Sequence, residues 1–166
     1  TQAVPPFFPF VIMGLLCGLL GALIGGLLEI FQVPEGLLLF GKKIYFEGMI
    51  LFLVLGIGSR LIPVISGRGI VNKGGKILIA RNIFLGMILI SGFAMEAVGE
   101  ILIGGIFKSF AVSWIAYFDW GILAKIKTKS RLALGMRISG LMVLGGIYMT
   151  VLQPVFAVHW MHLAYI

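Results

Sequence analysis

Apolar residues fill this chain in long runs, broken by a few short polar stretches that set its organisation. The first run, 7–31, has no charge before Glu29. At about 1.5 Å per helical residue it is long enough to cross the ~30 Å hydrocarbon core of a bilayer. Four further runs of membrane length follow at 46–65, 77–98, 106–123 and 132–152, and 155–166 reads as the opening of a sixth. The pattern predicts an all-α fold: one domain, a polytopic transmembrane helical bundle of five spans plus the start of a sixth. Residues 32–43, with Pro34, Glu35 and the pair Lys42-Lys43, read as a connector. The chain opens without an initiator methionine and stops inside an apolar run, so it reads as an internal piece of a longer polytopic protein. Missing helices of that same protein are then its partners, together with the lipid bilayer, and a homo-oligomer is left open.

Small residues recur in the first run. Gly14, Gly18, Ala22 and Gly26 lie four apart, and Gly21 and Gly25 form a second pair. That spacing lets a neighbouring helix approach closely, through packing rather than through hydrophobicity.

Composition sharpens the membrane reading. The 166 residues are 60% hydrophobic and only 11% charged, less than half of the ~25% charge usual in soluble domains. The mean hydropathy is +1.14. A soluble domain of this size cannot hide so much apolar surface, so much of it must face lipid.

The net charge of +7 changes the picture in a different way. Its basic residues sit mostly in short connections between apolar runs, which fits the positive-inside rule rather than nucleic-acid binding. Arg68, Lys73, Lys76 and Arg81 fall in 67–81, and Lys125, Lys127, Lys129 and Arg131 in 125–131. Two crossings separate these stretches, so both lie on one side, the cytoplasmic side by the rule. The other side collects Glu29, Glu35, Glu47, Glu96, Glu100, His159 and His162. Lys42, Lys43 and Lys108 depart from the pattern.

Candidate chemistry is sparse. Cys17 is alone, which excludes a disulfide or a CxxC pair within the chain and reads as a small buried residue. The glycine-rich stretch GRGIVNKGGK has the wrong spacing for a phosphate-binding loop and no Ser or Thr after its lysine. No hydrolase constellation is present, so catalysis by these side chains is not expected. Arg60 is the conspicuous group: it lies inside the second run, behind Gly56-Ile57-Gly58 and before Pro63. A charge within the membrane is costly and as a rule faces a partner, a cavity or the interface. Snorkelling toward Arg68 is the plainer alternative. Glu47, Glu96 and Glu100 are candidate partners for Arg60, for the histidines or for a proton, although Glu96 and Glu100, four apart on one helical face, also read as solvated helix-end carboxylates. Arg137 reads as snorkelling toward the nearby basic connection. His159 and His162, in VHWMHLAYI, share one helical stripe. Imidazole is a common ligand of transition metals and of haem iron, so both are candidate ligands, with interfacial anchoring the alternative.

Three stretches resemble NnrS-type membrane proteins: EGMILFLVLGIGSRLIP, the opening PPFFPFVIMGLLCGLLGALIGGLL, and the tail ending in QPVFAVHWMHLAYI. The resemblance implies a polytopic protein of the bacterial inner membrane, associated with haem and copper and with the response to nitric oxide or nitrosative stress. Its implied functional positions are Gly58, Arg60 and Pro63 in the first motif and His162 in the tail; His159 has no assigned counterpart. Arg60 would then pair with a haem propionate or a carboxylate, for which its planar fork of donors is suited. A small-molecule or anion permease is the alternative. In it the glycines and Pro63 break the second helix, and Arg60 receives the substrate at mid-membrane.

Overall fold

The computed structural model describes residues 5–27, 31, 34–67, 75–124 and 131–152. Among these the chain is all α-helical, with five helices long and apolar enough to cross a membrane. The first is α1 (Phe8–Leu27). The second, Glu35–Ile65, is one continuous rod: α2 (Glu35–Lys43), a π-helical turn at Ile44–Gly48, and α3 (Met49–Ile65). There follow α4 (Gly75–Ala97), α5 (Ile101–Phe118) and α6 (Arg131–Leu152). The expected sixth span at 155–166 lies outside the described residues.

Two expectations need correction. Residues 35–43 are not a connector, because they run as helix straight into the second span. That rod has 31 residues, about 46 Å at the helical rise, so it exceeds the hydrocarbon thickness and must tilt or emerge. The fourth span also starts earlier than expected, at Ile101, because α4 and α5 are joined by a turn of only three residues. Gly99 makes the turn possible by taking φ +95°, a conformation that side chains with a Cβ rarely adopt.

Small residues set how the helices meet. Gly14, Gly18 and Gly21 are buried, and a Cβ on Gly21 would come 2.7 Å from the Gly41 carbonyl oxygen. Ala22 is exposed, and Gly25 and Gly26 are exposed with nothing within 4 Å of a Cβ. The contact stripe of α1 thus steps 14–18–21 rather than continuing to 22 and 26. A helix turns 3.6 residues at a time, so mixed steps of four and three stay on one face while repeated fours drift away. In the α4–α5 hairpin, Gly92 and Gly104 play the same part. A Cβ on Gly104 would lie 2.5 Å from the Gly92 carbonyl oxygen.

The centre of the bundle is apolar, built on Phe10, Phe52, Leu55, Leu89, Phe93 and Val112, all closed to solvent. Much of the outer surface is apolar too, with Leu15, Leu19, Phe46, Phe84 and Leu132 among many large exposed side chains. That inside-and-outside apolarity is what a bundle surrounded by lipid requires, since a soluble protein does not expose so much of it in one band.

Candidate functional site

The bundle buries a four-membered charge network. Lys43, the last residue of α2, and Glu47, four residues later in the π-helical turn, share one side of the long rod. Glu96 comes from the last turn of α4 and Lys108 from the middle of α5. The Lys108 ammonium lies 2.5 Å from Glu96 Oε1, and Lys43 Nζ donates to Glu96 Oε2 at 2.8 Å. Glu47 completes the group at 3.6 Å from Lys43 and 3.7 Å from Lys108. Only 2–3% of the Glu96 and Lys108 side chains is exposed, against 19% for Glu47 and 26% for Lys43. The network therefore has a drier inner pair and a wetter outer pair.

Local sequence explains the assembly. Gly92 and Gly104 bring α4 and α5 close enough that a Cβ on Gly92 would meet Lys108 Cγ at 2.9 Å, and one on Gly104 would meet Glu96 Cγ at 2.5 Å. Any larger residue at either position would occupy the space through which the two chains reach each other. Phe93, one residue after Gly92, places its ring 5.0 Å from the Lys108 ammonium, where the ring face favours a cation. The π-helical turn contributes Glu47; such turns insert an extra residue and frequently mark functional positions.

The electrostatics are self-compensating. Two ammonium groups face two carboxylates, so the cluster carries no formal net charge. Desolvating an ion costs several kcal/mol even after relaxation, and the cost is met only where geometry is good and the remaining lone pairs and protons are satisfied. Glu96 meets that condition, with a different lysine on each oxygen.

A second polar cluster closes the opposite end, where α4 and α6 begin and α5 ends. Arg81 donates to Asn82 Oδ1 and to Asp119 Oδ1 at 2.5 Å, and Asn82 Nδ2 donates to the Pro6 carbonyl at 2.7 Å. Asp119 follows the last residue of α5. Burial pushes its carboxyl above the usual range, and the Arg81 guanidinium beside it pulls partly back.

Of the positions anticipated from sequence, Glu47 and Glu96 belong to the Lys–Glu network, whereas Arg60, Gly58 and Pro63 lie apart from it. Arg60 does not enter the bundle: it is exposed on α3 and lies over the Phe7 ring at 5.6 Å, with no ion pair among the described residues. It stands five residues from the end of α3, a position from which a long side chain can snorkel toward the membrane surface. Gly58 is the seat of a tryptophan, since a Cβ there would lie 2.9 Å from the Trp120 ring. Together with Trp120 and Gly140 it lines an apolar cleft of about 290 Å³ between α3 and α6. Pro63 is buried within α3, but the helix runs on through Gly56, Gly58 and Pro63 without a break. The irregular turn lies upstream, at Ile44–Gly48. His159 and His162 lie outside the described residues. Arg137 bonds the Ala124 carbonyl, on the side of the basic connection.

Glu96 is not a solvated helix-end carboxylate; Glu100, which is exposed, is one. Lys43 and Lys108, two of the three basic residues that depart from the charge pattern of the loops, are the partners of Glu96. That departure was the available signal, because a lysine on the acidic side of a membrane protein needs a local counter-ion. Arg81, Asn82 and Asp119 carried no comparable warning. For haem or copper, no group of three His, Cys, Asp or Glu side chains able to hold a metal exists among the described residues, and exposed Arg60 borders no pocket with a ligand atom for iron.

Comparison with known proteins adds no relative: no family model matches the chain, and neither a curated protein nor a solved structure is significantly similar to it.

Proposed function

We propose that this chain is the substrate-passing part of a multi-pass membrane permease for a small anion, with Lys43 and Lys108 as the paired cations that receive it. One observation carries the reading: two ammonium groups from different helices converge on the two oxygens of a single buried carboxylate. An anion-binding site has that arrangement, and here the protein's own Glu96 fills it. An incoming carboxylate or oxyanion of like charge keeps both lysines paired when it displaces Glu96, and the exchange requires the released Glu96 carboxylate to take up a proton, because a buried charge left unpaired costs about 3–5 kcal/mol. Ionisable groups are rare within membrane segments and mark substrate and ion pathways. The outer pair, Lys43 and Glu47, provides the wetter approach. The basic connections at 67–81 and 125–131 are cytoplasmic on this reading, and the membrane is the bacterial inner membrane.

The test is anion flux into liposomes bearing the reconstituted protein, followed with a potential-sensitive dye under gradients of acetate, nitrate or phosphate. At least one anion should enter faster than into protein-free liposomes, and Lys108→Met should lower that rate tenfold or more at equal incorporation. Failure of every anion to exceed the protein-free rate, or an unchanged rate in Lys108→Met, would overturn it. A haem- or copper-associated protein of the nitric-oxide response is the second reading, supported by the sequence resemblance. A Soret band in the purified protein that disappears in His162→Ala would favour it over the permease.

A further inference from the structure

The end of the bundle opposite the Lys–Glu network holds a cavity of about 170 Å³, bordered by Pro6, Ser59, Pro63, Arg81, Asn82 and Asp119. Two of these residues bring a buried oxygen with no hydrogen-bond partner: Ser59 Oγ and Asp119 Oδ2. Buried polar atoms as a rule have a partner, and where the protein supplies none an ordered water does. Pro63 lines the same cavity. Pro63 has no N–H, so the Ser59 carbonyl four residues earlier receives no helical hydrogen bond from it. A hydroxyl and a carboxylate oxygen, both without partners, thus belong to residues that border one small cavity beside a guanidinium.

From this geometry we infer that the cavity is a hydrated vestibule, a binding site for a small cluster of water molecules on the side of the 125–131 connection. At roughly 30 Å³ per water its volume suits about five. Neither the apolar walls nor Arg81 offers the orphan oxygens enough partners, whereas water donates to all of them. Between the vestibule and the Lys108–Glu96 pair stands a dry layer. Phe52, Leu55, Leu85, Leu89, Val112 and Ile115 are each no more than 2% exposed. Along α4 the two polar ends are 14 residues apart, from Asn82 to Glu96, or about 21 Å at the helical rise. The structure is therefore wet at the Arg81 end, dry in the middle, and charged again at Glu96. The vestibule stands on its own cavity and orphan atoms; its use as the second mouth of an anion path rests on the permease reading.

Cysteine accessibility tests the vestibule without measuring flux. In a Cys17→Ala background, Ser59→Cys and Leu78→Cys, which border the cavity from α3 and α4, are compared with Leu89→Cys in the dry layer and Arg131→Cys at the exposed start of α6. The probe is the membrane-impermeant, permanently charged methanethiosulfonate ethyltrimethylammonium, applied to protein in liposomes from each side in turn. Ser59→Cys, Leu78→Cys or both should react from the side on which Arg131→Cys reacts, at least tenfold faster than Leu89→Cys. Two variants guard against one that fails to fold. If both remain unreactive while Arg131→Cys is labelled, or if Leu89→Cys reacts as fast as they do, the vestibule is overturned. Labelling with no anion flux would instead leave the vestibule standing and remove the permease.

Discussion

Glu96 and Lys108 lie 12 residues apart in sequence, on opposite arms of a helical hairpin, and hold each other at 2.5 Å with both side chains all but closed to solvent. Their neighbours make the two positions unequal. Glu96 keeps a 2.8 Å bond to Lys43 if Lys108 is lost. Lys108 keeps only Glu47, at 3.7 Å, if Glu96 is lost. Removing one partner of a buried pair costs about 3–5 kcal/mol through the charge left behind. Glu96→Gln should therefore fall in that range and Lys108→Met clearly below it, as read from thermal or denaturant unfolding in a common detergent.

Gly104 and Gly25 separate close approach from mere smallness. A Cβ on Gly104 meets the Gly92 carbonyl oxygen, which is backbone and cannot swing away, whereas one on Gly25 meets nothing. Gly104→Ala should destabilise by about 1–3 kcal/mol, the usual cost of overpacking. Gly25→Ala should be neutral or stabilise by about 0.5–1 kcal/mol, from the backbone entropy that glycine loses in a helix. The same unfolding assay compares the two.

Arg60 and Arg81 make a similar contrast between arginines. Arg60 has one aromatic contact and an exposed position, and a cation over a ring at an exposed site contributes only about 0.5–1 kcal/mol. Arg81 holds both Asn82 and Asp119. Arg60→Leu should leave the melting temperature within a few degrees of the parent, while Arg81→Leu should lower it further. A larger loss in Arg60→Leu would show that Arg60 faces a partner.

Legibility from sequence followed the kind of force involved. The five spans were plain, because crossing a membrane demands a long uninterrupted apolar run and little else. The start of α5 is not plain, since Gly99 lets the chain reverse in three residues and Gly104-Gly105 interrupts the apolar run just after the true start at Ile101. Arg60 drew attention as a charge inside an apolar run, yet its helix turns it outward, and helical phase relative to the bundle is invisible in one chain. Lys108 stands near the start of the expected run 106–123, but α5 begins five residues earlier, at Ile101, which puts Lys108 in the middle of the helix. Glu96 reads from sequence as a helix-end carboxylate, and its burial against Lys108 depends on the Gly92–Gly104 crossing, which hydrophobic periodicity does not reveal.

A double-mutant cycle on Glu96 and Lys108, with unfolding free energies measured in the same bilayer or detergent, tests the central claim most directly. Adding Lys108→Met to Glu96→Gln removes the stranded ammonium and leaves Lys43 paired with Glu47. The double variant should then be more stable than Glu96→Gln alone, with a coupling of about 0.5–3 kcal/mol. Losses that simply add, leaving the double variant the least stable of the set, would contradict a buried pair between these two residues.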